Sequence, residues 1–181
     1  MGHTLRLATR DDAPLLAALV RDAFRPVAEE FGFTPENWPR HASFTPPERI
    51  LELMDDGHRY VILECGGAPC GCIAYRYVAS DPSAPPDARP RVAGRPVEAA
   101  TLHLRHLGVV PAWRGRGLGR ALLEHAVAEG RRLGARQVTL GIAAVDLSLQ
   151  HWYERRGFTL TETLPYDGMP CQVTWMALAL Y

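Results

Sequence analysis

The chain has 181 residues, 47% of them hydrophobic and 22% charged, and its 20 basic residues balance 20 acidic ones. That length suits a single domain over residues 1–181, able to bury roughly two thirds of its unfolded surface, and the balanced charge removes the positive field that nucleic-acid binders use for encounter. No apolar run approaches the roughly 20 residues that cross a bilayer, which argues against a membrane protein. All the basic residues are arginine, so lysine chemistry is excluded, and "MGHTLRLATRDD" lacks the apolar segment of a signal peptide; a cytoplasmic location is the expectation.

In chain order, "HTLRLAT" has strand character, and "TRDDAPLLAALVRDAFRPVAEE" follows with acidic N-cap candidates, Pro14 in a first turn and helical apolar spacing. A proline-rich and aromatic connection leads to a second, shorter helix over "PPERILELMDDG", stopped at Gly57. "HRYVILE" and "PCGCIAYRYVA" read as two strands joined at Gly66 and Gly67, a hairpin signature. Residues 80–97 carry five prolines and read as an irregular loop. Then come a strand over "EAATLHLRHLGVV", a helix over "GLGRALLEHAVAEGRRLG" and a strand over "ARQVTLGIAA". A helix over "VDLSLQHWYERRG" and two closing strands, "FTLTETL" and "CQVTWMALAL", complete the order. This order implies a mixed α/β sheet layered with helices.

Cys65, Cys70, Cys72 and Cys171 offer no second close pair for a metal, so no metal site is expected and the thiols read as small buried apolar groups.

The join "VVPAWRGRGLGRALLEHA" places three glycines and three arginines between an apolar run and a helical pattern. A helix beginning near Gly117 has unpartnered N–H groups and about half a positive charge at its start. Gly115, Gly117 and Gly119 let backbone approach a bulky anion, and Arg114, Arg116 and Arg120 supply charge-assisted bonds. The P-loop is ruled out by the missing Gly-Lys-Ser/Thr, and a dinucleotide fingerprint would need glycine at Arg120 or Leu122. A bland alternative is a glycine-softened turn with its arginines on a solvated face.

Arg114-Gly115-Arg116-Gly117-Leu118-Gly119, after a strand and before an amphipathic helix, resembles motif A of the GNAT superfamily of acyl-CoA-dependent N-acyltransferases. Downstream, "DLSLQHWYERRGF" resembles motif B, with Tyr153 and Gly157-Phe158 in the expected spacing, although Asp146 stands where the family often has asparagine. The resemblance implies a mixed, mostly antiparallel central sheet of about seven strands with helices on both faces. It implies acetyl-CoA as cosubstrate and an amine acceptor, on a small molecule or a peptide. Backbone groups of Leu107, Val109 and Val110 would hold the pantetheine arm and acyl carbonyl, with the Leu107 N–H as oxyanion donor. Arg114, Gly115, Arg116, Gly117, Leu118, Gly119 and Arg120 would hold the pyrophosphate.

By the same resemblance Tyr153 donates the proton to the departing thiolate, its ordinary pKa near 10 lying close to that of a thiol, about 8.5. His103 stands where several relatives carry a glutamate and is the chosen general base. His106 points to the opposite face unless a bulge breaks the alternation, and His151, Glu98 and Asp146 are weaker options. The segment with Phe31, Phe33 and Trp38 beside Glu29, Glu30 and Glu36 is either an acceptor pocket or an apolar cluster under a loop. Family members often dimerise through a sheet edge or the C-terminal strand, which leaves a homodimer open. The competing reading is a non-catalytic acyl-CoA-binding module; nucleic acid is disfavoured by the zero net charge and the lack of an aromatic platform.

Overall fold

A computed structural model describes residues 2–81, 83–85, 88–166 and 168–181. Pro82, Pro86 and Asp87, part of the expected irregular loop, lie outside the described residues. The described residues form nine strands: β1 (His3–Leu7), β2 (Arg59–Cys65), β3 (Ala68–Val78), β4 (Arg91–Val92), β5 (Arg95–Pro96), β6 (Thr101–Val109), β7 (Gln137–Ala143), β8 (Thr159–Leu164) and β9 (Val173–Ala179). The helices are α1 (Ala13–Phe31), α2 (Pro47–Asp55), α3 (Leu118–Arg132) and α4 (Leu147–Glu154). Seven of the strands form one mixed sheet in the order β1-β2-β3-β6-β7-β9-β8, mostly antiparallel, with β6 and β7 parallel. Strands β4 and β5 pair only with each other.

By contacts the chain forms two compact units, one of Met1–Tyr75 with His106–Ala126 and one of Arg76–Arg105 with Val127–Tyr181. In the first, α1 presents Leu16, Val20 and Ala23 at helical spacing, and these are buried with Ile50 and Leu53 of α2 and Tyr60 and Ile62 of β2. Pro14 occupies the first turn of α1, where its missing N–H costs nothing, and Gly32 ends the helix in the left-handed region. Asp12 does not cap α1 with its side chain; it closes a box with Thr9 on the preceding single turn and pairs with Arg6 at 2.8 Å. The β2–β3 turn uses Gly66 and Gly67 at φ +61° and +79°, the two positive values that a tight hairpin of matching twist needs. Beside it the buried Cys65 and Cys70 sulfurs lie 3.0 Å apart, and burial pushes the Cys70 thiol up to about 12.

In the second unit Leu102 of β6, Val138 and Leu140 of β7 and Met176 of β9 are buried, and Gly130 of α3 lies against Leu102 and Leu180. The end of the proline-rich stretch, from Arg91 to Pro96, is paired rather than irregular. Ala93 and Gly94, both at positive φ, turn the chain between β4 and β5, and Val92 and Val97 bury themselves with Val78. Strand β9 is flanked on both sides, by β7 and β8, so the C-terminal strand is not a sheet edge and cannot pair with a second copy as the resemblance allowed.

Candidate functional site

The glycine-arginine join lies in the first unit and is prepared by an irregularity in β6. His106 has φ +52°, unusual for a side chain other than glycine, and it breaks the alternation of the strand. Its Nδ1 shares a 2.8 Å hydrogen bond with the hydroxyl of Tyr60, a residue only 1% exposed that sequence reading did not single out. Beyond this point the backbone leads into the turn Pro111–Trp113. The Val110 N–H donates to the Cys70 carbonyl at 2.9 Å and its own carbonyl accepts from the Trp113 N–H at 3.0 Å. Both backbone groups of Val110 therefore make hydrogen bonds within the fold, the carbonyl keeping a second lone pair.

Arg114 is likewise engaged. Its Nε donates to the Val109 carbonyl at 3.0 Å and an Nη to the Ala23 carbonyl, so at least two of its five donors brace the loop against the strand end and α1. Gly115 and Gly117 sit at φ +75° and +78° with open space where a Cβ would be, so conformation rather than crowding requires glycine there. Helix α3 starts at Leu118, and the Ala121 N–H is bonded to the Gly117 carbonyl at 3.1 Å. The amides of Leu118, Gly119 and Arg120 precede that bond and are the orphan donors of the helix start, at the positive end of its dipole. Arg116 lies over the Trp113 ring at 4.7 Å, and Arg120 makes a 2.7 Å pair with Glu124 in which both side chains are more than 60% exposed. Surface contacts of this kind are worth about 0–1 kcal/mol, so either guanidinium can leave its partner for a doubly charged diphosphate.

Leu107 follows His106 in the first unit, whereas Asp146, Tyr153 and His103 belong to the second. Asp146 caps α4, its Oδ1 accepting from the Leu149 N–H and the Ser148 hydroxyl, each at 2.9 Å. Tyr153 is 5% exposed, with the rings of Trp152 and Phe158 edge-on at 4.9 and 5.3 Å. Burial pushes its phenol above the ordinary value; Arg156 opposes the shift and Asp146 adds to it. His103 is 4% exposed, its Nδ1 bonded to the Thr139 hydroxyl at 3.2 Å and its ring 5.8 Å from that of Trp175. Of the weaker base options, Glu98 is paired with Arg89, Asp146 is committed to its cap, and His151 is exposed.

The aromatic segment after α1 resolves in favour of the apolar cluster. Phe33, Trp38 and His41 are buried against one another with centroids 4.8–5.0 Å apart, while Glu29, Glu30 and Glu36 are exposed. Burial lowers His41 to about 4, and it accepts a hydrogen bond from the Ser43 N–H as a neutral ring. Among the described residues no cluster of three or more His, Cys, Asp or Glu could hold a metal ion, and no helix is long and apolar enough to cross a membrane.

The sequence matches the family model of the acetyltransferase (GNAT) family over residues 19–158. It is 26% identical over 90% of its length to an uncharacterised N-acetyltransferase of Methanocaldococcus jannaschii, covering 63% of that protein. Shorter matches include an L-methionine sulfoximine/L-methionine sulfone acetyltransferase of Salmonella typhimurium, 34% identical over 40% of this chain and 44% of that one. Another is a mycothiol acetyltransferase of Propionibacterium freudenreichii, 39% identical over 32% of this chain and 18% of that one. The chain thus spans less than two thirds of the length of these curated relatives. In fold it is similar to an acetyltransferase of Salmonella typhimurium solved with acetyl-CoA, with a TM-score of 0.68 at 22% identity over 100% of this chain and 95% of that one. An N-acetyltransferase of Thermoplasma acidophilum solved with coenzyme A gives 0.71 at 14% identity, over 99% and 100%.

Proposed function

Because the chain belongs to the GNAT acetyltransferase family, we propose that it transfers an acetyl group from acetyl-CoA to a primary amine of a small molecule or peptide. The observation that carries the reading is the loop before α3: two left-handed glycines, Gly115 and Gly117, deliver the chain into a helix start flanked by the exposed Arg116 and Arg120. Its donor set suits a diphosphate, with the Leu118, Gly119 and Arg120 amides and the two guanidiniums offering charge-assisted bonds worth about 1.5–3 kcal/mol each. Arg114 contributes by holding the loop through the Val109 and Ala23 carbonyls.

Acetyl-CoA brings the acyl group already activated as a thioester. The chain's own residues then have three tasks: to take a proton from the acceptor amine, to stabilise the oxyanion and to return a proton to the thiolate. The Leu107 N–H is assigned the oxyanion, just past the break in β6 at His106. His103 is assigned the base, its ring fixed by the bond of Nδ1 to the Thr139 hydroxyl. Tyr153 is assigned the acid. Its raised pKa keeps the proton on the phenol at neutral pH, the state a donor needs, while weakening the drive for full transfer compared with an exposed tyrosine.

The same deep burial favours a second reading, an acyl-CoA-binding module in which Tyr153 only packs against Trp152 and Phe158. A thermal-shift titration with acetyl-CoA, followed by release of free thiol across an amine panel, separates the two. Acetyl-CoA binding with amine-dependent thiol release supports the transferase; binding without turnover on any amine supports the module. We further assign the protein to the cytoplasm and, were it to pair through its sheet, the outer strands β1 and β8 to that contact.

A further inference from the structure

We propose that a cavity of the second unit is a binding site for a small free amino acid, its carboxylate held by Arg95. The cavity has a volume of about 190 Å³. At about 30 Å³ per water in the liquid, that is room for about six waters, which suits an amino acid and excludes a folded protein segment. Its walls include Arg95 and Pro96 of β5, Thr101 of β6, Thr139 of β7, Glu162 of β8 and Trp175 of β9.

Three features give this cavity a chemistry. Arg95 lies over the Trp175 ring, 4.6 Å from its centroid, and pairs with Glu162, with side chains 31% and 35% exposed. A permanent cation and a carboxylate thus share one wall, so a ligand carrying both a carboxylate and an ammonium exchanges this pair without leaving net charge behind. Trp175 is only 7% exposed, and its Nε1 has no hydrogen-bond partner among the described residues. That nitrogen is closed to solvent, so Trp175 bounds the cavity with its ring and the carboxylate contact falls to Arg95. The Thr101 hydroxyl is already spent, donating to the Ala99 carbonyl and accepting from Gln137, so it shapes the wall rather than binding.

Two of these walls, Thr139 and Trp175, also contact His103, one by a hydrogen bond at 3.2 Å and the other by ring contact. If His103 is the base of the acetyl transfer proposed above, the bound amino acid is the acceptor and its α-amino group the nucleophile; this assignment of role, unlike the binding itself, rests on that reading.

The test is isothermal titration of the full chain with each of the twenty free L-amino acids, and with the amide and the decarboxylated amine of the tightest binder. One or more amino acids binding at least tenfold more tightly than both derivatives is expected. Arg95→Gln, which removes the guanidinium, should weaken that amino acid about tenfold or more while changing the decarboxylated amine less than twofold. The acetyl-CoA affinity of Arg95→Gln should stay at the wild-type value, which also reports that the variant is folded. The inference is overturned if no amino acid binds, or if the amide and the amine bind as well as the acid. Turnover of some other amine in that case leaves the transferase reading standing. Amino-acid binding through Arg95 with no acetyl-CoA binding keeps the site and removes the transferase reading.

Discussion

Replacing Gly117 with alanine separates conformation from crowding at the loop before α3. The added Cβ meets nothing within 4 Å, so the perturbation is purely one of backbone. At φ +78° an alanine costs about 1–2 kcal/mol, which for a chain of this size lowers Tm by about 2–8 °C. Gly66→Ala is the matched control: it is also left-handed, at φ +61°, also open, and lies in the β2–β3 turn. If the amides after Gly117 grip a diphosphate, relaxation of the strained alanine turns them away from it. Loss of one such charge-assisted bond, about 1.5–3 kcal/mol, weakens acetyl-CoA about 10- to 150-fold. Differential scanning fluorimetry and titration calorimetry on the wild type and both variants read the two effects separately. Similar losses of Tm with weakened acetyl-CoA binding only in Gly117→Ala are expected. Equal acetyl-CoA affinities in the two variants would refute the assignment of this loop.

Further outcomes follow from individual contacts. Tyr153→Phe keeps the packing against Trp152 and Phe158 and should lower kcat by about 100-fold or more with the acetyl-CoA Kd unchanged; an unaltered kcat removes the phenol from the chemistry. Asp146→Ala removes the acceptor of the Leu149 N–H and should cost about 0.5–2 kcal/mol in urea unfolding, with Asp146→Asn retaining most of that stability. His41, lowered to about 4 by burial, is neutral in the folded protein while the unfolded chain titrates near 6.5. Its folded pKa being the lower one, stability is full above pH 6.5 and falls between there and pH 4, by about 3 kcal/mol in all. His41→Phe, compared with wild type by urea unfolding at pH 7 and pH 4.5, should lose that part of the acid sensitivity; identical pH dependences would contradict it.

The seven strands of the sheet and the four α-helices of the described residues were legible in the sequence because each is set by local signals: a continuous apolar run in β2, alternation in β7, helical spacing in α1 and α3, and Gly57, Gly66 and Gly157 as stops. The glycine-arginine loop was legible for the same reason, since its glycines answer to backbone φ at their own positions. What stayed hidden depends on partners distant in the chain. That Arg114 would be drawn to the Ala23 carbonyl, 91 residues away, and Val110 to Cys70, has no trace in either local pattern. The β4–β5 ribbon was obscured because prolines dominate its composition, although Ala93-Gly94 carried a weak turn signal. The cavity was invisible for a related reason: Arg95, Glu162 and Trp175 come from three separate segments, and none belongs to a motif.

The most direct measurement is a crystal structure of the protein grown with acetyl-CoA. The account predicts the diphosphate on the amides of Leu118 to Arg120, with Arg116 or Arg120 turned from its surface partner onto the phosphates. Clear density for acetyl-CoA elsewhere on the chain, with the Gly115–Arg120 loop unengaged, would contradict it.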